Sequence, residues 1–365
     1  GMTTKTTRIQ QHLITDTIRE MVDLELGLDN ADGPESGMGP VFSNEQIIDS
    51  AFDYFRERGF PYRNLPLHIC MQEINRLART EGSTLLNTTT AYQVADTYHP
   101  HRYHAHAEGM NSQIEAFNDD KKLLHALELE LEYGAIGLSA VNHLKLVHGT
   151  QPVSNFRPGF ALALYREYCK PGDVVLDTST GYGGRLVGFI ASGLAGKYIG
   201  IDPSRATHEG NLRMASDLGF GDKVELYNLP AEDVPHEWLT GKCDFAFTSP
   251  PYFRKEHYGE EEEAEQSWVR YPTAERWQEG FLLPMMQLQY VALKAGAAAL
   301  VNIADVKISG KGYPLVMWCK YAGEAAGFEL VDLRKFSLPR RFGSKSNEVA
   351  TEPVLVFKKP GGRQS

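Results

Sequence analysis

The stretch over residues 173–202 constrains the fold of this chain most strongly. A short apolar run, 174–177, leads into the glycine-rich segment 178–184, a helical pattern follows over 186–191, and a second apolar run, 198–202, ends in Asp202. Glycines let the backbone approach a ligand closely, and the start of the following helix presents free amide groups. The order strand, glycine loop, helix, strand predicts one unit of a doubly wound α/β sheet.

Apolar runs and helical patterns alternate from residue 173 onward, as expected for a sheet with helices on both faces. Strands are predicted at 174–177, 198–202, 224–228, 245–248 and 298–303, and a terminal hairpin at 328–336 and 353–358. Helical spacing dominates the first 150 residues, at 8–28, 44–58, 67–79 and 114–131, with a Gly/Pro/Ser-rich loop at 29–40. We therefore predict a mostly helical domain over 1–150 and an α/β domain over 151–365.

The sequence Thr-Ser-Pro-Pro-Tyr at residues 248–252 directly follows the predicted strand 245–248. Each proline fixes its own φ and restrains the residue before it, so this segment forms a rigid, extended platform. Such a platform can hold a planar amino group at one distance and one angle. It indicates a loop that positions a nucleophile.

These motifs resemble those of the S-adenosylmethionine-dependent amino methyltransferases, most closely the DNA N4-cytosine and N6-adenine group. The resemblance comprises the segment Asn-Phe-Arg-Pro-Gly-Phe at 155–160 with the helical pattern after it, the glycine loop, the strand end at Asp202, and Ser-Pro-Pro-Tyr at 249–252, in the family's order. It covers residues 151–359. It implies a class I methyltransferase fold, a Rossmann-like doubly wound sheet with a terminal antiparallel hairpin, and S-adenosylmethionine as the cofactor.

The resemblance also implies roles for individual residues. Those that position the amino group would be Ser249, Pro250, Pro251 and Tyr252. Those that bind the cofactor would be Asp177, Thr178, Gly181, Gly183, Phe156, Pro158, Asp202 at the ribose, and Glu232 or Asp233 at the adenine amino group. The acids at 232 and 233 could equally cap a helix. Substrate contacts are predicted for Phe253, by stacking, and for Arg254, His101 and Arg340.

Two departures from the family pattern bear on these roles. The family usually has Pro and Phe after the aspartate of the glycine loop, where this chain has Thr178 and Ser179. No long insertion marks a DNA target-recognition domain in the second half. A C5-cytosine methyltransferase is disfavoured, because that chemistry needs a cysteine nucleophile after a proline, and none of the four cysteines follows one.

The net charge of −10 is unevenly distributed. Residues 1–150 carry 12 Lys and Arg against 21 Asp and Glu, whereas residues 151–365 carry 25 against 26. An acidic first domain counts against broad wrapping of a duplex, since affinity for nucleic acid comes largely from phosphate neutralisation. Local basic groups remain at Arg254 and Lys255 and in a C-terminal group, Arg334, Lys335, Arg340, Arg341 and Lys345. They are either phosphate contacts or solvated loop charges.

The segment 98–106 holds four histidines, at positions 99, 101, 104 and 106. A metal site is disfavoured, because no nearby cysteine completes a ligand set and the spacing fits no standard zinc motif. Substrate or phosphate contact and simple loop packing remain open. The segment 265–268, just past the Pro-Pro loop, is predicted to close over the site as a lid.

We predict an enzyme that transfers a methyl group from S-adenosylmethionine to a planar amino nitrogen, with N4 of cytosine or N6 of adenine in DNA as the expected acceptor. The alternatives are the same chemistry on RNA, a protein amide or a modified nucleotide, or a non-catalytic cofactor-binding protein. No apolar run reaches the roughly 18 to 20 residues of a membrane span, so no membrane segment is expected. Scattered cysteines without CxxC spacing favour a reducing cytoplasm and argue against a metal site.

Overall fold

A computed structural model describes residues 42–132, 136, 144–258, 266–337 and 351–361. The predicted helix at 8–28, the loop at 29–40 and the basic residues at 340, 341 and 345 lie outside these residues. Contacts divide the chain into two units, Gly1–Tyr62 with Tyr103–Val153, and Arg63–Arg102 with Ser154–Ser365. The predicted domain boundary at residue 150 lies close to the division between Val153 and Ser154. Residues 63–102, however, pack with the second unit and not with the rest of the N-terminal half.

The α-helices of the described chain are α1 Asn44–Arg58, α2 Leu67–Ala78, α3 Tyr92–Tyr98, α4 Gln113–Asn118, α5 Asp120–Glu132, α6 Pro158–Tyr168, α7 Gly184–Ser192, α8 Arg205–Asp217, α9 Ser267–Arg270, α10 Ala274–Trp277, α11 Leu283–Ala292 and α12 Leu315–Ala326. A π-helical turn, Gln278–Leu282, joins α10 to α11. Short 3-10 turns occur at Gly82–Leu86, Pro100–His104, Leu144–Leu146, Gly221–Lys223, Ala231–Asp233 and His236–Trp238.

The first unit is helical where it is described. Ser43 caps α1, because its hydroxyl accepts from the backbone of Gln46 while the Gln46 side chain accepts from the Ser43 backbone. Ala51 and Phe55 of α1 pack in a core with residues of α4 and α5. The single helix predicted at 114–131 is two helices, since Asp119 has an extended backbone and its carboxylate accepts from Lys122 N at 3.1 Å.

The second unit contains a seven-stranded sheet, formed by β1 Val174–Asp177, β2 Lys197–Ile201, β3 Val224–Tyr227, β4 Cys243–Thr248, β5 Leu293–Asn302, β6 Glu329–Ser337 and β7 Thr351–Lys358. Their spatial order is β6-β7-β5-β4-β1-β2-β3. Strands β1 to β5 are parallel, and β7 is antiparallel to both of its neighbours. This is the class I methyltransferase topology with its terminal hairpin, so the predicted fold class is confirmed.

Further short strands lie outside this sheet, at His106–Ala107, Glu256–His257, and in a hairpin of Val306–Ile308 with Lys311–Tyr313. Two apolar cores cover the faces of the sheet. One includes Ile74 and Leu77 of α2 and Val94 of α3 together with residues of α6 and α7, which explains why residues 63–102 belong to this unit. The other is built largely from α11 and α12.

The carboxyl ends of the parallel strands meet at one edge of the sheet, where ligands bind in open α/β folds. The segments after β1, β2, β3 and β4 all emerge there, and they are the segments that carry the predicted motifs. None of the described helices is both long enough and apolar enough to span a membrane.

Candidate active site

Asp177 ends β1 and is fully buried. One carboxylate oxygen accepts from Arg185 Nε at 2.8 Å and from the Tyr198 hydroxyl at 2.6 Å. The other accepts from the Thr248 hydroxyl at 2.7 Å and from Ser179 N at 3.2 Å. Because protein donors occupy both oxygens, Asp177 organises the glycine loop, and the direct cofactor contact predicted for it is corrected to an indirect one.

The glycine loop depends on two left-handed glycines, Gly181 with φ of 59° and Gly183 with φ of 83°. A Cβ at Gly183 would lie 2.6 Å from Asn211 Oδ1 and 2.8 Å from Met214 Cε, so α8 packs directly on the loop. Asn211 Nδ2 also donates to Gly181 O at 3.0 Å. The loop is therefore closely supported from one side by α8.

Asp202 follows β2 and is half-buried. Its carboxylate accepts from Gly181 N at 2.9 Å and from Ser204 N at 2.9 Å, which joins the glycine loop to the end of β2. A narrow cleft lies beside it, lined by Thr180, Gly200, Asp202, His208, Asn211, Leu226 and Tyr227. Asp202 thus lies at the edge of the sheet, and its ribose contact stays a prediction.

Thr178 is 2% exposed, and its hydroxyl accepts from Gln289 Nε2 of α11 at 3.0 Å. The side chain therefore faces the core beneath the loop, and its predicted cofactor contact is corrected to a packing role. Ser179 N donates to the Thr248 hydroxyl at 3.1 Å. Polar contacts thus hold this turn at Thr178 and Ser179.

Phe156 and Pro158 precede and begin α6. The Phe156 ring stacks on Phe160 with centroids 5.3 Å apart, and the Arg185 guanidinium lies 5.0 Å from its centroid. Phe156 remains half-buried beside the glycine loop, whereas Pro158 is buried at the first position of α6. Pro158 starts the helix, and its predicted cofactor contact is corrected accordingly.

Glu232 and Asp233 form a short turn after β3. Glu232 accepts from Arg270 at 2.8 Å, its side chain is 5% exposed, and burial raises its pKa. Asp233 lies 3.3 Å from the same guanidinium and is 46% exposed. Neither acid caps a continuous helix, because 3-10 turns replace the helical pattern after them. Asp233 is the more accessible of the two for a ligand.

Ser249 begins the Pro-Pro loop at the end of β4. Its hydroxyl donates toward Asn302 O and Asn302 Oδ1, each at 3.1 Å. Asn302 is the last residue of β5, is 1% exposed, and donates from Nδ2 to Pro353 O at 2.9 Å. Among the described residues, no hydrogen bond is made to the Pro250 carbonyl. The Ser249 hydroxyl is thus held against the end of β5.

Tyr252 ends the loop and is half-buried. Its hydroxyl lies 3.4 Å from Asn302 Oδ1 and 3.3 Å from Glu352 Oε1, and burial raises its pKa well above the usual range. Burial lowers the pKa of Arg157, and the charge of Glu352 offsets part of that decrease. Asn302 and Glu352 were missed by sequence reasoning. Asn302 could have been found as a polar residue at the carboxyl end of a predicted parallel strand.

Phe253 does not face a substrate site. It is 2% exposed, with φ of 53°, and its ring packs within 5.4 Å of the Trp277 and Tyr313 centroids and 6.0 Å of Trp318. The stacking role predicted for Phe253 is therefore corrected. The left-handed backbone turns its side chain into the core, where it joins the Pro-Pro loop to the hairpin 306–313.

Basic and aromatic side chains follow the loop. The Arg254 guanidinium lies 5.9 Å from the Trp268 ring, and Lys255 Nζ donates to Lys307 O at 3.2 Å. Lys311 Nζ lies 5.3 Å from the Tyr313 ring. Trp268 belongs to the segment predicted as a lid and forms part of the short helix α9; Glu265 lies outside the described residues.

The histidines at 99 and 101 lie beside the glycine loop. His99 is fully buried, its Nδ1 is 2.7 Å from Ala95 O, and burial lowers its pKa to about 4. His101 Nε2 is 2.8 Å from the Thr207 hydroxyl, and its ring is 5.5 Å from Tyr182. His101 is thus at the cofactor end of the unit. Within the part of the chain that the structure describes, no group of three or more metal-ligating side chains assembles.

The two predicted loops are joined at one point. Thr248, the residue before Ser249, donates to Asp177 and accepts from Ser179, so the start of the Pro-Pro loop is bonded to the start of the glycine loop. The structure therefore brings Ser249, Gly181 and Asp202 to the same edge of the sheet. It places Arg254 beside the Pro-Pro loop, and Arg340 lies outside the described residues.

No protein-family model matches the chain, and no curated protein matches it significantly. Among solved structures, the chain is similar to the cyclase SpnF, at 15% identity over 56% of this chain and 82% of that one, with a TM-score of 0.41. A SAM-dependent methyltransferase from Aquifex aeolicus matches at 17% identity, over 54% and 88%, with a TM-score of 0.36. One from Methanosarcina mazei matches at 13%, over 55% and 98%, with a TM-score of 0.37. These likenesses concern the fold alone, which the strand order defines independently.

Proposed function

We propose that this protein transfers a methyl group from S-adenosylmethionine to a planar amino nitrogen of a nucleic-acid base, with N4 of cytosine or N6 of adenine in DNA as the target. The observation that carries the proposal is the position of Ser249 and Pro250, whose hydroxyl and carbonyl oxygens could accept from a substrate amino group as an acceptor pair. These residues follow β4 directly, at the ligand-binding edge of a class I sheet, and Thr248 before them is hydrogen-bonded to the glycine loop.

The cofactor end fits S-adenosylmethionine in its hydrogen-bonding chemistry. Asn211 Oδ1 is buried with no hydrogen-bond partner among the described residues, and it lies against Gly183 and lines the same cleft as Asp202. A buried acceptor without a partner is costly, and ribose hydroxyls or an amino group would satisfy it. The space beside Asp202 is too narrow to enclose a small molecule, so binding requires the side chains around it to move.

The cofactor would supply an electrophilic methyl group on a sulfonium. An exocyclic amino nitrogen attacks poorly, because its lone pair is delocalised into the ring. Hydrogen bonds from its two N–H groups to Ser249 Oγ and the Pro250 carbonyl would favour the pyramidal, nucleophilic form and fix its direction. The nitrogen would accept the methyl group that the cofactor supplies and would lose one proton to solvent. Orientation and fixed dipoles supply the rate gain.

Tyr252 supports this role as a rigid aromatic beside the acceptor pair. Aromatic side chains stack on bases that have been taken out of a duplex or are single-stranded, worth roughly 1–3 kcal/mol per base. Contacts of the tyrosine hydroxyl to Asn302 and Glu352 keep the ring in place beside Ser249.

A nucleic-acid substrate is supported by the side chains that follow the loop. Arg254, Lys255 and Lys311 lie near Trp268 and Tyr313, which combines positive charge with aromatic rings. Proteins that bind single-stranded nucleic acid use this combination, with cations on the backbone and rings on the bases. Residues 151–365 are nearly neutral, so they repel a polyanion less than the acidic residues 1–150 do.

Nucleoside mass spectrometry tests the proposal. The protein is incubated with S-adenosylmethionine and with single-stranded and duplex DNA and RNA of mixed sequence. We expect N4-methylcytosine or N6-methyladenine in DNA, abolished by Ser249→Ala and retained in the matched exposed variant Ser83→Ala. If only RNA is methylated, the substrate would be RNA and the proposal of DNA would be wrong. No methylated base in any nucleic acid, with S-adenosylmethionine bound, would overturn it.

A further inference from the structure

We propose that one face of the hairpin 306–313 binds the phosphate backbone of the nucleic-acid substrate, with phosphate oxygens in contact with the protein main chain. This face, the outer face, consists of Lys307, the turn residues Ser309 and Gly310, and Gly312. The inference rests on the proposed function and deepens it, because it assigns a second substrate-binding surface outside the sequence motifs.

The register of the hairpin separates its two faces. Val306 pairs with Tyr313, and Lys307 pairs with Gly312. Side chains of paired residues lie on the same face, and successive residues along a strand alternate between faces. Val306 and Tyr313 pack against the core, and Ile308 is 5% exposed, so these residues form the inner face. Lys307 and Gly312 are exposed and lie on the outer face.

Gly312 is not required by the fold of the hairpin. Its φ is not left-handed, and a Cβ added to it would meet nothing within 4 Å. A glycine inside a strand weakens the strand, and it often marks a place where a ligand or another backbone approaches closely. Gly312 therefore keeps the outer face flat beside Lys307, so that a ligand can reach the main chain there.

The main chain at Gly312 offers a hydrogen-bond donor to such a ligand. The two turn residues have left-handed φ angles of 52° and 79°, and a tight turn of this kind is closed by a hydrogen-bonded pair. Because hydrogen-bonded and open pairs alternate, the N–H and C=O groups of Lys307 and Gly312 point away from the hairpin. Lys307 O accordingly accepts from Lys255 Nζ at 3.2 Å. The Gly312 N–H points outward on the other strand, where a phosphate oxygen can accept from it.

Positive charge accumulates around this face. Within the part of the chain that the structure describes, no carboxylate lies within ion-pair distance of Arg254, Lys255, Lys307 or Lys311. Lys294, by contrast, is paired with an aspartate at 2.8 Å. In a chain with a net charge of −10, four neighbouring cations without acidic partners favour a polyanionic ligand.

The hairpin is held in a fixed position relative to the Pro-Pro loop. The Tyr313 ring lies 5.4 Å from that of Phe253, which directly follows Tyr252, and the Lys255–Lys307 hydrogen bond joins the same two segments. Phosphate contacts set the register of a protein on nucleic acid without reading its sequence. A backbone bound on the outer face would thus keep a constant distance between its phosphates and the base at Tyr252.

Gly312→Val tests the close approach. We expect a melting temperature equal to that of the wild type or higher, because the added side chain meets nothing and valine suits a strand. The Kd for labelled single-stranded or duplex DNA, measured by fluorescence anisotropy, should rise by about tenfold or more, as for the loss of a hydrogen bond to a charged group. If valine lowers the melting temperature, Gly312→Ala gives the same comparison.

Gly361→Val is the matched control. Gly361 is also exposed, its φ is not left-handed, and a Cβ added to it would meet nothing within 4 Å. It lies outside the hairpin, so its replacement should leave the Kd for DNA unchanged.

The salt dependence of binding tests the charge of the outer face. Lys307→Ala should reduce the slope of log Kd against log salt concentration by about 0.7 for a single strand or about 0.9 for a duplex, equally for all sequences. Lys307→Arg should retain the slope. Lys242→Ala should leave it unchanged, because Lys242 is exposed at the opposite edge of the sheet, before the amino end of β4.

Three results would overturn the assignment of the outer face. They are wild-type affinity in Gly312→Val, an unchanged salt slope in Lys307→Ala, and displacement of DNA by polyglutamate as readily as by unlabelled DNA. These measurements need no methyl transfer, so they are independent of the test of function. A wild-type protein that binds DNA through this face and methylates no base would overturn the proposed function alone.

Discussion

The two ends of the candidate site are built differently. At the cofactor end, Asp177 is fully buried and receives four hydrogen bonds of 2.6–3.2 Å from the strand, the loop and α7. At the acceptor end, Ser249 and Tyr252 are half-buried, and their contacts to Asn302 and Glu352 are 3.1–3.4 Å. The Asp177 carboxylate is thus fully occupied by protein donors, whereas the contacts of Ser249 and Tyr252 are longer. Support and recognition are thus divided between two loops that meet at Thr248.

The largest effect is expected at Asp177. Replacing it with Ala leaves the Arg185 guanidinium buried without its partner, which costs about 3–5 kcal/mol of unfolding free energy. Urea unfolding measures the loss. Lys294→Ala is the control, because it breaks an ion pair in which the lysine side chain is 56% exposed, and it should cost far less. Equal losses of unfolding free energy in the two variants would contradict the expected difference between a buried and an exposed ion pair.

The buried His99 makes the cofactor end sensitive to acid. Its folded pKa is lowered from 6.5 to about 4 by burial, so the unfolded chain binds a proton between these values that the folded chain does not. Stability is then fully present above pH 6.5 and falls toward pH 4, by about 3 kcal/mol. His99→Gln should flatten unfolding free energy across this window. An unaltered slope in His99→Gln would refute the prediction.

Gly183→Ala tests how closely α8 supports the loop. The variant forces an L residue into φ of 83° and places Cβ 2.6 Å from Asn211 Oδ1, so we expect a loss of about 1–3 kcal/mol and weaker S-adenosylmethionine binding in calorimetry. Gly193→Ala is matched, since its φ is 67° but nothing lies within 4 Å of the added Cβ. A similar loss at both positions would show that strain alone, without crowding by α8, limits the loop.

The smallest effect on stability is expected at Tyr252. Tyr252→Ala should lower turnover by about tenfold or more, through lost stacking, and leave S-adenosylmethionine affinity nearly intact. Phe253→Ala should instead lower stability, by about 3–5 kcal/mol, because the buried ring of Phe253 supports packing. Steady-state kinetics and thermal unfolding on both variants measure the contrast. Tightened or abolished cofactor binding in Tyr252→Ala would contradict the division between the two ends.

Local patterns in the sequence were enough to predict the parallel strands and the two loops. The strand predicted at 174–177 is confirmed without change, because a short apolar run bounded by glycines and acids has few other solutions. The placement of Ser249 after β4 and Asp202 after β2 follows from the same alternation. Strand ends moved by a few residues at β5 and β7, where hydrogen bonding to neighbours sets the bounds.

Contacts between distant residues could not be predicted in this way. Asn302 meets Ser249 only because β5 lies beside β4, and Glu352 reaches Tyr252 from the terminal hairpin. Phe253 follows a predicted substrate-facing residue, yet its left-handed backbone turns it inward. The saturation of Asp177 likewise depends on partners from three separate segments. These contacts form only in the folded chain, and a single sequence contains no local signal for them.

The division of the chain at Tyr62, Arg102 and Val153 bears on the order in which the protein is made. Helices α2 and α3 leave the ribosome well before β1 and α7, whose residues complete their core. Ile74, Leu77 and Val94 therefore remain exposed during synthesis until the later segments arrive, and such long-range closure is slow. A fragment that begins at residue 151 would lack α2 and α3, so one face of its sheet would be exposed. The compact unit that contains the sheet is thus not a continuous stretch of the sequence.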